Sequence, residues 1–259
     1  MDTSRWSDFP HPDDDFRYPG GSLKKAWQDL HRGDCEPWPE DKELQEAWRC
    51  FHAGDFAGAV ERADRVGIAG HAVANKASGI YADYLEDDDS VKNAIYNAGI
   101  ERAEKAIKEM PDDPNAHYFH AFLLGRYSQS ISVAKALAQG VGGRIKASLD
   151  RALELEPKHA EAWTALGLYH AEIIDKVGKL VGRMTYGASA DAAHAAFDKA
   201  LSLTPDAPIA HIEYGNGLYL LYGDKQLEES NEAYAKAVEI TPIDAMQKLD
   251  IEYARASLE

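Results

Sequence analysis

Two short stretches of the sequence are rich in basic residues and glycine and contain no acidic residue. Residues 126–146 hold four Lys or Arg and residues 176–190 hold three, in a chain of 259 residues with a formal net charge of −16. Basic side chains supply charge for an anion, and glycines let backbone N–H groups turn towards a phosphate or carboxylate. The stretches therefore predict a site for an anion or an acidic partner. Its candidate residues are Lys135, Arg144, Lys146, Lys176, Lys179, Arg183, Met184 and Tyr186.

Apolar residues alternate with these charges and leave a second interpretation open. Leu137, Val141, Leu180 and Val181 would suit a ligand with an apolar part. The same pattern fits short amphipathic helices that pack on the rest of the protein, with their Lys and Arg side chains paired to neighbouring acids. No predicted strand precedes Gly140, so the glycines do not match a nucleotide-binding fingerprint.

The histidines and acidic runs give weaker chemical signals. His117 and His120 are three residues apart on a predicted helix, but the sequence has no helical HExxH motif and no Cys/His cluster. The aspartate runs at residues 13–15 and 87–89 lack the spacing of a calcium loop. Nucleophile elbows, phosphate-binding loops and Cys/His nucleophile pairs are also absent from the sequence. We therefore expect no metal, no cofactor and no catalytic activity.

A sequence motif that recurs four times indicates which secondary-structure elements contain the two basic stretches. In each copy an alanine lies on the apolar face of a predicted helix, and a proline five residues later ends that helix. The pairs are Ala106 with Pro111, Ala152 with Pro157, Ala200 with Pro205, and Ala237 with Pro242. An earlier copy, with its turn at Gly54, belongs to a repeat that starts near Asp41. The chain is therefore predicted to be an array of helix pairs.

A small residue ten positions after each of the first three prolines marks the next helix. Ala121, Gly167 and Gly215 occupy these places, where a small side chain lets neighbouring helices approach closely. Successive key alanines are 46, 48 and 37 residues apart, against about 34 in the standard tetratricopeptide unit, which this pattern resembles. Because the spacing from proline to small residue is constant, the excess must lie between the two helices of a repeat. We place these insertions near residues 128–146 and 175–189.

Residues 95–242 resemble the helical-repeat domain of the regulator-of-microtubule-dynamics family and the tetratricopeptide-like T-component of tripartite solute transporters. The resemblance depends on residues 113–118, on residues 143–146 with the helix that follows them, and on residues 162–167. It implies an interaction module, in some relatives a tube that holds a ligand or lipid, and it implies no shared catalytic mechanism.

The repeats predict an all-α, right-handed superhelix of about five helix pairs over residues 41–259, with long insertions inside the repeats. Residues 1–40, which hold many aromatic residues, should form an arm that packs along the array, and residues 244–258 should form a capping helix. The groove of the superhelix should present Tyr118, Phe122, Leu168, Asn216 and Tyr219. These residues could accept a partner or be covered by the insertions or the arm.

Charge and hydropathy exclude several classes of function. A surface with net charge −16 disfavours nucleic acid and anionic membranes as general partners, and no apolar run is long enough to span a bilayer. The acidic N-terminus does not match a secretory leader, which predicts a cytoplasmic protein. The leading hypothesis is a non-catalytic scaffold that binds an unidentified protein through the groove and the basic insertions. The alternative is a carrier for a small amphipathic anion such as a lipid or fatty acid.

Overall fold

The computed structural model describes residues 2–259, and within this range it contains helices and no β-strand, which confirms the all-α prediction. The α-helices are α1 (Ser22–Leu30), α2 (Lys42–His52), α3 (Phe56–Val66), α4 (His71–Tyr84), α5 (Asp89–Glu109), α6 (Pro114–Gln129), α7 (Val133–Ala138), α8 (Val141–Leu155), α9 (Ala160–Val177), α10 (Lys179–Tyr186), α11 (Ala190–Leu203), α12 (Pro208–Tyr222), α13 (Leu227–Glu239) and α14 (Ala245–Leu258).

Five helix pairs form the array. They are α2 with α3, α4 with α5, α6 with α8, α9 with α11, and α12 with α13. Each pair also contacts the next one along the chain, and α14 covers the last pair. The predicted helical-repeat superhelix with a C-terminal capping helix is therefore confirmed.

Aspartates and prolines at the repeat boundaries set where the helices begin. The Asp41, Asp88 and Asp113 carboxylates each accept hydrogen bonds from two backbone N–H groups in the first turn of the helix that follows. Such a cap satisfies donors that have no partner within the helix. Pro114 and Pro208 stand in the first turns of α6 and α12, where proline costs no hydrogen bond.

An aromatic side chain makes the same contact at the start of three successive repeats. His117 Nε2, Trp163 Nε1 and His211 Nε2 lie 2.8, 3.0 and 2.7 Å from the carbonyl oxygen of the proline six residues earlier. A ring N–H therefore ties the first helix of each repeat to the turn that precedes it. This structural role accounts for His117 and His211.

The glycines that follow the prolines sit where two helices nearly touch. A Cβ atom at Gly167 would lie 2.8 Å from the Phe197 ring of α11, and one at Gly215 would lie 2.9 Å from the Ser230 carbonyl oxygen of α13. Both distances are shorter than carbon contacts allow, so the crossing of each helix pair depends on the missing side chain.

Each long insertion contains a short additional helix. Helix α7 lies between α6 and α8, and α10 lies between α9 and α11. The Tyr186 ring at the end of α10 packs over Gly142 at the start of α8, where a Cβ would lie 3.1 Å from Tyr186 Cε1. The two insertions therefore meet on one side of the superhelix.

The N-terminal arm runs across several repeats instead of filling the groove. The Trp6 ring stacks on Tyr81 of α4 with centroids 4.0 Å apart, and Trp27 of α1 packs edge-on against Trp48 of α2. The segment that follows α1 crosses the starts of successive first helices. Its contacts are Asp34 with Lys76, Glu36 with Asn115, Gly33 with Glu161, and Arg32 with Asp206.

The capping helix returns to the beginning of the array. Asp244, which caps α14, lies 2.9 Å from His52 of α2, and Asp250 accepts a hydrogen bond from Tyr84 of α4. The Tyr18 hydroxyl also donates to the Ile243 carbonyl at 2.6 Å. These contacts join the two ends of the superhelix and enclose the space between its first helices.

Candidate binding cavity on the concave face

The first helices of the repeats enclose a cavity of about 930 Å³, its open mouth included. Its walls come from α4, α6, α8, α9, α12 and α14, and we call it the concave cavity. The apolar part of its lining consists mainly of Ile80, Tyr118, Phe122, Leu168, Ile209 and Met246. A concave, mainly apolar space with a few polar groups is typical of a ligand site.

Arg126 of α6 is held between two carboxylates on one wall of the cavity. Its Nε lies 2.8 Å from Asp83 Oδ2, and its Nη2 donates to Glu213 Oε1 at 3.1 Å. Burial lowers the pKa of Arg126, but the two carboxylates outweigh burial and hold it well above its usual range. The guanidinium also lies 5.5 Å from the centre of the Phe122 ring. Arg126 is therefore a permanent cation whose charge is already matched.

A second buried cation, Lys76 of α4, occupies the opposite part of the lining. Its Nζ donates to Asp34 Oδ2 at 2.6 Å and to Glu161 Oε1 at 2.8 Å. Burial alone would raise the Asp34 pKa, but Lys76 and His31 hold it well below its usual range. For Glu161, burial dominates and raises the pKa. This three-residue cluster connects the arm, α4 and α9 at the wall of the cavity.

Asp250 of α14 is the least satisfied carboxyl in the lining. Its Oδ1 accepts a hydrogen bond from the Tyr84 hydroxyl at 2.5 Å, while its Oδ2 is buried and has no hydrogen-bond partner among residues 2–259. Burial raises the pKa of Asp250 to about 8, and the nearby Asp244, Glu161 and Glu213 carboxylates act in the same direction. The group is therefore mostly protonated at neutral pH in the unliganded protein.

The structure brings together three of the five residues predicted to face the groove. Tyr118, Phe122 and Leu168 line the concave cavity. Asn216 instead turns towards α13, where it accepts a hydrogen bond from the Tyr234 hydroxyl at 2.6 Å, and Tyr219 is exposed outside the lining.

A second cavity of about 810 Å³, its open mouth included, lies where the two insertions meet, and we call it the insertion cavity. Val133 and Leu137 of α7, Ile173 of α9 and Tyr186 form most of its apolar wall, and Lys176 lies in its lining. Ile145 belongs to the linings of both cavities. The insertions therefore create a pocket beside the concave cavity instead of covering it.

The predicted basic residues divide into paired and unpaired groups. Arg144, Lys146 and Lys176 pair with Glu104, Asp150 and Glu172 at 2.5, 2.7 and 3.4 Å. Lys135 lies 5.7 Å from the centre of the Tyr127 ring. Lys179 and Arg183 have no ion-pair partner among residues 2–259.

Helix α10 exposes apolar side chains beside these two unpaired cations. Leu180 and Met184 are 72% and 79% exposed, and Lys179 and Arg183 are exposed on the same short helix. These four residues form what we call the insertion patch. Such a patch is unusual on a surface with no partner.

Sequence reasoning missed the charged residues of the concave cavity. Lys76 stands alone among uncharged residues in the first three turns of α4, and Glu213 is the single charged residue of α12. A lone charge inside an otherwise uncharged, buried helix must find a partner or a ligand. That pattern was a usable signal, although it could not name the partners.

The described residues offer no group of three or more His, Cys, Asp or Glu side chains arranged to hold a metal ion. The buried His159 and His170 have their pKa lowered to about 4 by burial, so both are neutral at pH 7. Among residues 2–259, no helix combines the length and the apolar character needed to span a bilayer.

Comparison with known proteins supports this architecture. The crystal structure of a thermophilic TPR protein from Thermus thermophilus matches with a TM-score of 0.58 and 17% identity, covering 84% of this chain and 100% of the other. That likeness shows a shared tetratricopeptide-like fold. None of the curated proteins compared with the chain matches it significantly.

Residues 71–245 match the family described as regulator of microtubule dynamics protein 1-3. The matched span begins with α4 and ends at the start of α14, so it contains both insertions and most of the concave cavity. It covers well over half of the chain and agrees with the resemblance seen in the sequence. Because the match covers residues 71–245, the chain belongs to the regulator of microtubule dynamics protein 1-3 family.

Proposed function

We propose that the protein is a non-catalytic scaffold that binds a segment of another protein in its concave cavity. Helical-repeat proteins commonly use their concave surfaces for binding. The proposal is based on the apolar concave cavity, whose mouth is not covered by any other segment of residues 2–259. No residue of the N-terminal arm or of helices α7 and α10 lines it, and Phe122 and Leu168 keep part of their surface accessible.

The insertion patch supplies the second contact surface in this proposal. Lys179 and Arg183 are free to meet carboxylates of the partner, while Leu180 and Met184 can bury apolar surface. Arg144 and Lys146 contribute less, since each already pairs with an acid of this chain. We place the scaffold in the cytoplasm, as the sequence suggests.

A blocking substitution tests the cavity. Ala165 lines it and is half-buried, so Ala165→Trp should fill the space. Ala195 of α11 is exposed, so Ala195→Trp is the matched control. Tagged variants would be purified from the native cell and the bound proteins identified by mass spectrometry. Loss of a partner with Ala165→Trp alone supports the proposal, and equal recovery with both variants contradicts it.

A charge reversal tests the insertion patch. The double variant Lys179→Glu, Arg183→Glu should weaken capture of the same partner. Lys199 and Lys236 are exposed on α11 and α13, so reversing them changes the net charge equally at other places. If both double variants recover the partner equally, the patch is not a contact surface.

The insertion cavity favours one second candidate, a carrier for a small amphipathic anion. Val133, Leu137 and Ile173 would hold the apolar part, and Lys176 would meet the head group. A carrier should release a stoichiometric lipid or fatty acid on denaturation, which mass spectrometry of the purified protein would detect. Finding none, with no uptake of offered fatty acid, would remove this candidate.

A further inference from the structure

The charges in the lining of the concave cavity do not balance. Each of the two cations is matched by two carboxylates, Lys76 by Asp34 and Glu161, and Arg126 by Asp83 and Glu213. Two further carboxyls, Glu172 and Asp250, line the same cavity. Glu172 pairs with Lys176 at 3.4 Å, which leaves Asp250 as the one described carboxyl of the lining without a basic partner. The positive groups of the lining have no free charge to offer.

An anion would bind poorly in such a cavity. It would have to displace a carboxylate from Lys76 or Arg126, which would leave that carboxylate buried without its partner. Breaking a buried ion pair in this way is strongly unfavourable. A positively charged group would meet no such obstacle.

Asp250 offers a position for that positive group. It is 1% exposed, it lines the cavity, and its Oδ2 is buried without a hydrogen-bond partner among residues 2–259. A buried polar atom without a partner is rare in native proteins and calls for an explanation such as a ligand. An ammonium or guanidinium N–H would satisfy this oxygen.

The remaining lining suits a cation attached to an apolar stem. The rings of Tyr84, Tyr118, Phe122 and Tyr169 belong to the cavity wall. Aromatic faces attract cations through their quadrupole, and they also bury alkyl carbons. Ile80, Ile209 and Met246 continue the apolar wall towards α12 and α14.

We propose that the concave cavity binds an ammonium or guanidinium group on an apolar stem, with Asp250 as the counter-ion. The inference rests on the proposed use of the cavity as a binding site and names the chemistry of what enters it. The cation could be a free organic amine or a Lys or Arg side chain of a partner protein. It differs from the anion that the basic insertions suggest, because the exposed Lys179 and Arg183 of the insertion patch do not line the concave cavity.

Matched fluorescent probes test the sign of the charge. N-Dansylcadaverine carries a primary ammonium on an alkyl stem, and its N-acetyl derivative is neutral with nearly the same shape. Dansylaminoundecanoic acid supplies the anionic comparison. We expect wild-type protein to bind the ammonium probe at least tenfold more tightly than either of the others, measured by titration of dansyl fluorescence. Equal or tighter binding of the neutral or anionic probe overturns the proposal.

Asp250→Asn tests the counter-ion. The amide keeps the shape of the side chain and can still accept from Tyr84, so the variant should fold, as circular dichroism and Tm will show. Its affinity for the ammonium probe should fall at least tenfold, while its affinity for the neutral probe stays the same. Glu239→Gln removes an exposed carboxylate of α13 that does not line the cavity, and it is the control. An unchanged ammonium affinity in Asp250→Asn overturns the assignment.

Two peptides distinguish the source of the cation. An apolar pentapeptide with a central lysine would be compared with the same peptide carrying norleucine. Preference for the lysine peptide over N-dansylcadaverine identifies a protein side chain, and the reverse preference identifies a free amine. If no probe or peptide binds, the cation proposal fails. The proposed function fails separately, when Ala165→Trp retains every captured partner.

Discussion

His52 and Asp244 are 192 positions apart in the chain, yet their side chains meet with His52 Nδ1 2.9 Å from Asp244 Oδ2. His52 lies in the first helix of the first pair, and Asp244 caps the last helix. Both side chains are buried. Together with the Tyr84–Asp250 and Tyr18–Ile243 hydrogen bonds, this contact joins the two ends of the superhelix.

His52→Ala should loosen that closure. The change removes one hydrogen-bond partner of the buried Asp244 carboxylate, which keeps the bond from the Gln247 backbone N–H. We therefore expect the free energy of unfolding to fall by about 1.5–3 kcal/mol. Urea unfolding measures the loss, and hydrogen exchange should show weaker protection in α14. Arg255→Ala, which breaks an exposed pair with Glu252, is the control and should cost less than about 1 kcal/mol. Similar losses in the two variants would contradict the closure.

Lys76→Met should destabilise the protein more at pH 7 than at pH 5. The substitution leaves Asp34 and Glu161 buried without the ammonium group that they share, so we expect a loss of about 3–5 kcal/mol at pH 7.

The pH dependence of this loss follows from the carboxyl pKa values. Without Lys76 their folded-state pKa values rise above the unfolded values near 4. The folded variant then binds more protons than the unfolded chain, and stability is regained as the pH falls. Urea unfolding at both pH values checks this, with Lys199→Met on the surface of α11 as control. A loss that is equal at both pH values, or larger at pH 5, would contradict the buried cluster.

Asp250→Asn should stabilise the unliganded protein as the pH rises. Burial raises the folded-state pKa of Asp250 to about 8, with Asp244, Glu161 and Glu213 adding to the effect while the hydrogen bond from Tyr84 opposes it. A raised carboxyl pKa gives stability that is complete below the unfolded pKa near 4 and is lost as the pH rises through 8.

The amide cannot ionise, so the variant should gain about 3–4 kcal/mol over the wild type between pH 5 and pH 8, at about 1.4 kcal/mol per pH unit. Chemical denaturation across this range measures the difference. The exposed Glu239→Gln should show no such trend. A constant difference between Asp250→Asn and wild type would show that Asp250 is ionised throughout.

Gly215→Ala should be destabilising, whereas Gly125→Ala should not. A Cβ at Gly215 would meet the Ser230 carbonyl oxygen at 2.9 Å, while a Cβ at Gly125 would meet nothing within 4 Å. Inserting an extra methyl group between two packed helices typically lowers the free energy of unfolding by about 1–3 kcal/mol. Alanine at an open helical site instead gains up to about 1 kcal/mol over glycine. Thermal or urea unfolding of both variants checks the contrast, and equal effects would contradict the close crossing of α12 and α13.

The repeats could be predicted because their signals are local. A proline that ends one helix and a small residue ten positions later depend on a few neighbouring residues. Gly167 and Gly215 indeed stand where a side chain would clash. The insertions could be placed between the two helices of a repeat because the spacing from proline to small residue is constant. Helices α7 and α10 lie at these places.

The groove prediction matched in the middle of the array and differed at its end. Tyr118 and Leu168 line the concave cavity, but in α12 the lining residues are Ile209 and Glu213. Ile212, the equivalent of Tyr118 by its spacing from proline, is buried in a cluster with residues of α13 and α14. The capping helix packs on α12, so the face presented to the cavity changes in the last repeat.

The sequence by itself determined the helix pairs, their boundaries, the insertions and the aromatic wall of the groove, because helix caps, prolines and apolar periodicity act over a few residues. Only the tertiary structure decided the charge of the cavity, since Lys76 meets Asp34 and Glu161 from 42 and 85 positions away. It also decided the closure through His52 and Asp244. Contacts between distant residues depend on the small rotation between each repeat and the next, accumulated over the whole array. A local sequence pattern does not predict this accumulated rotation.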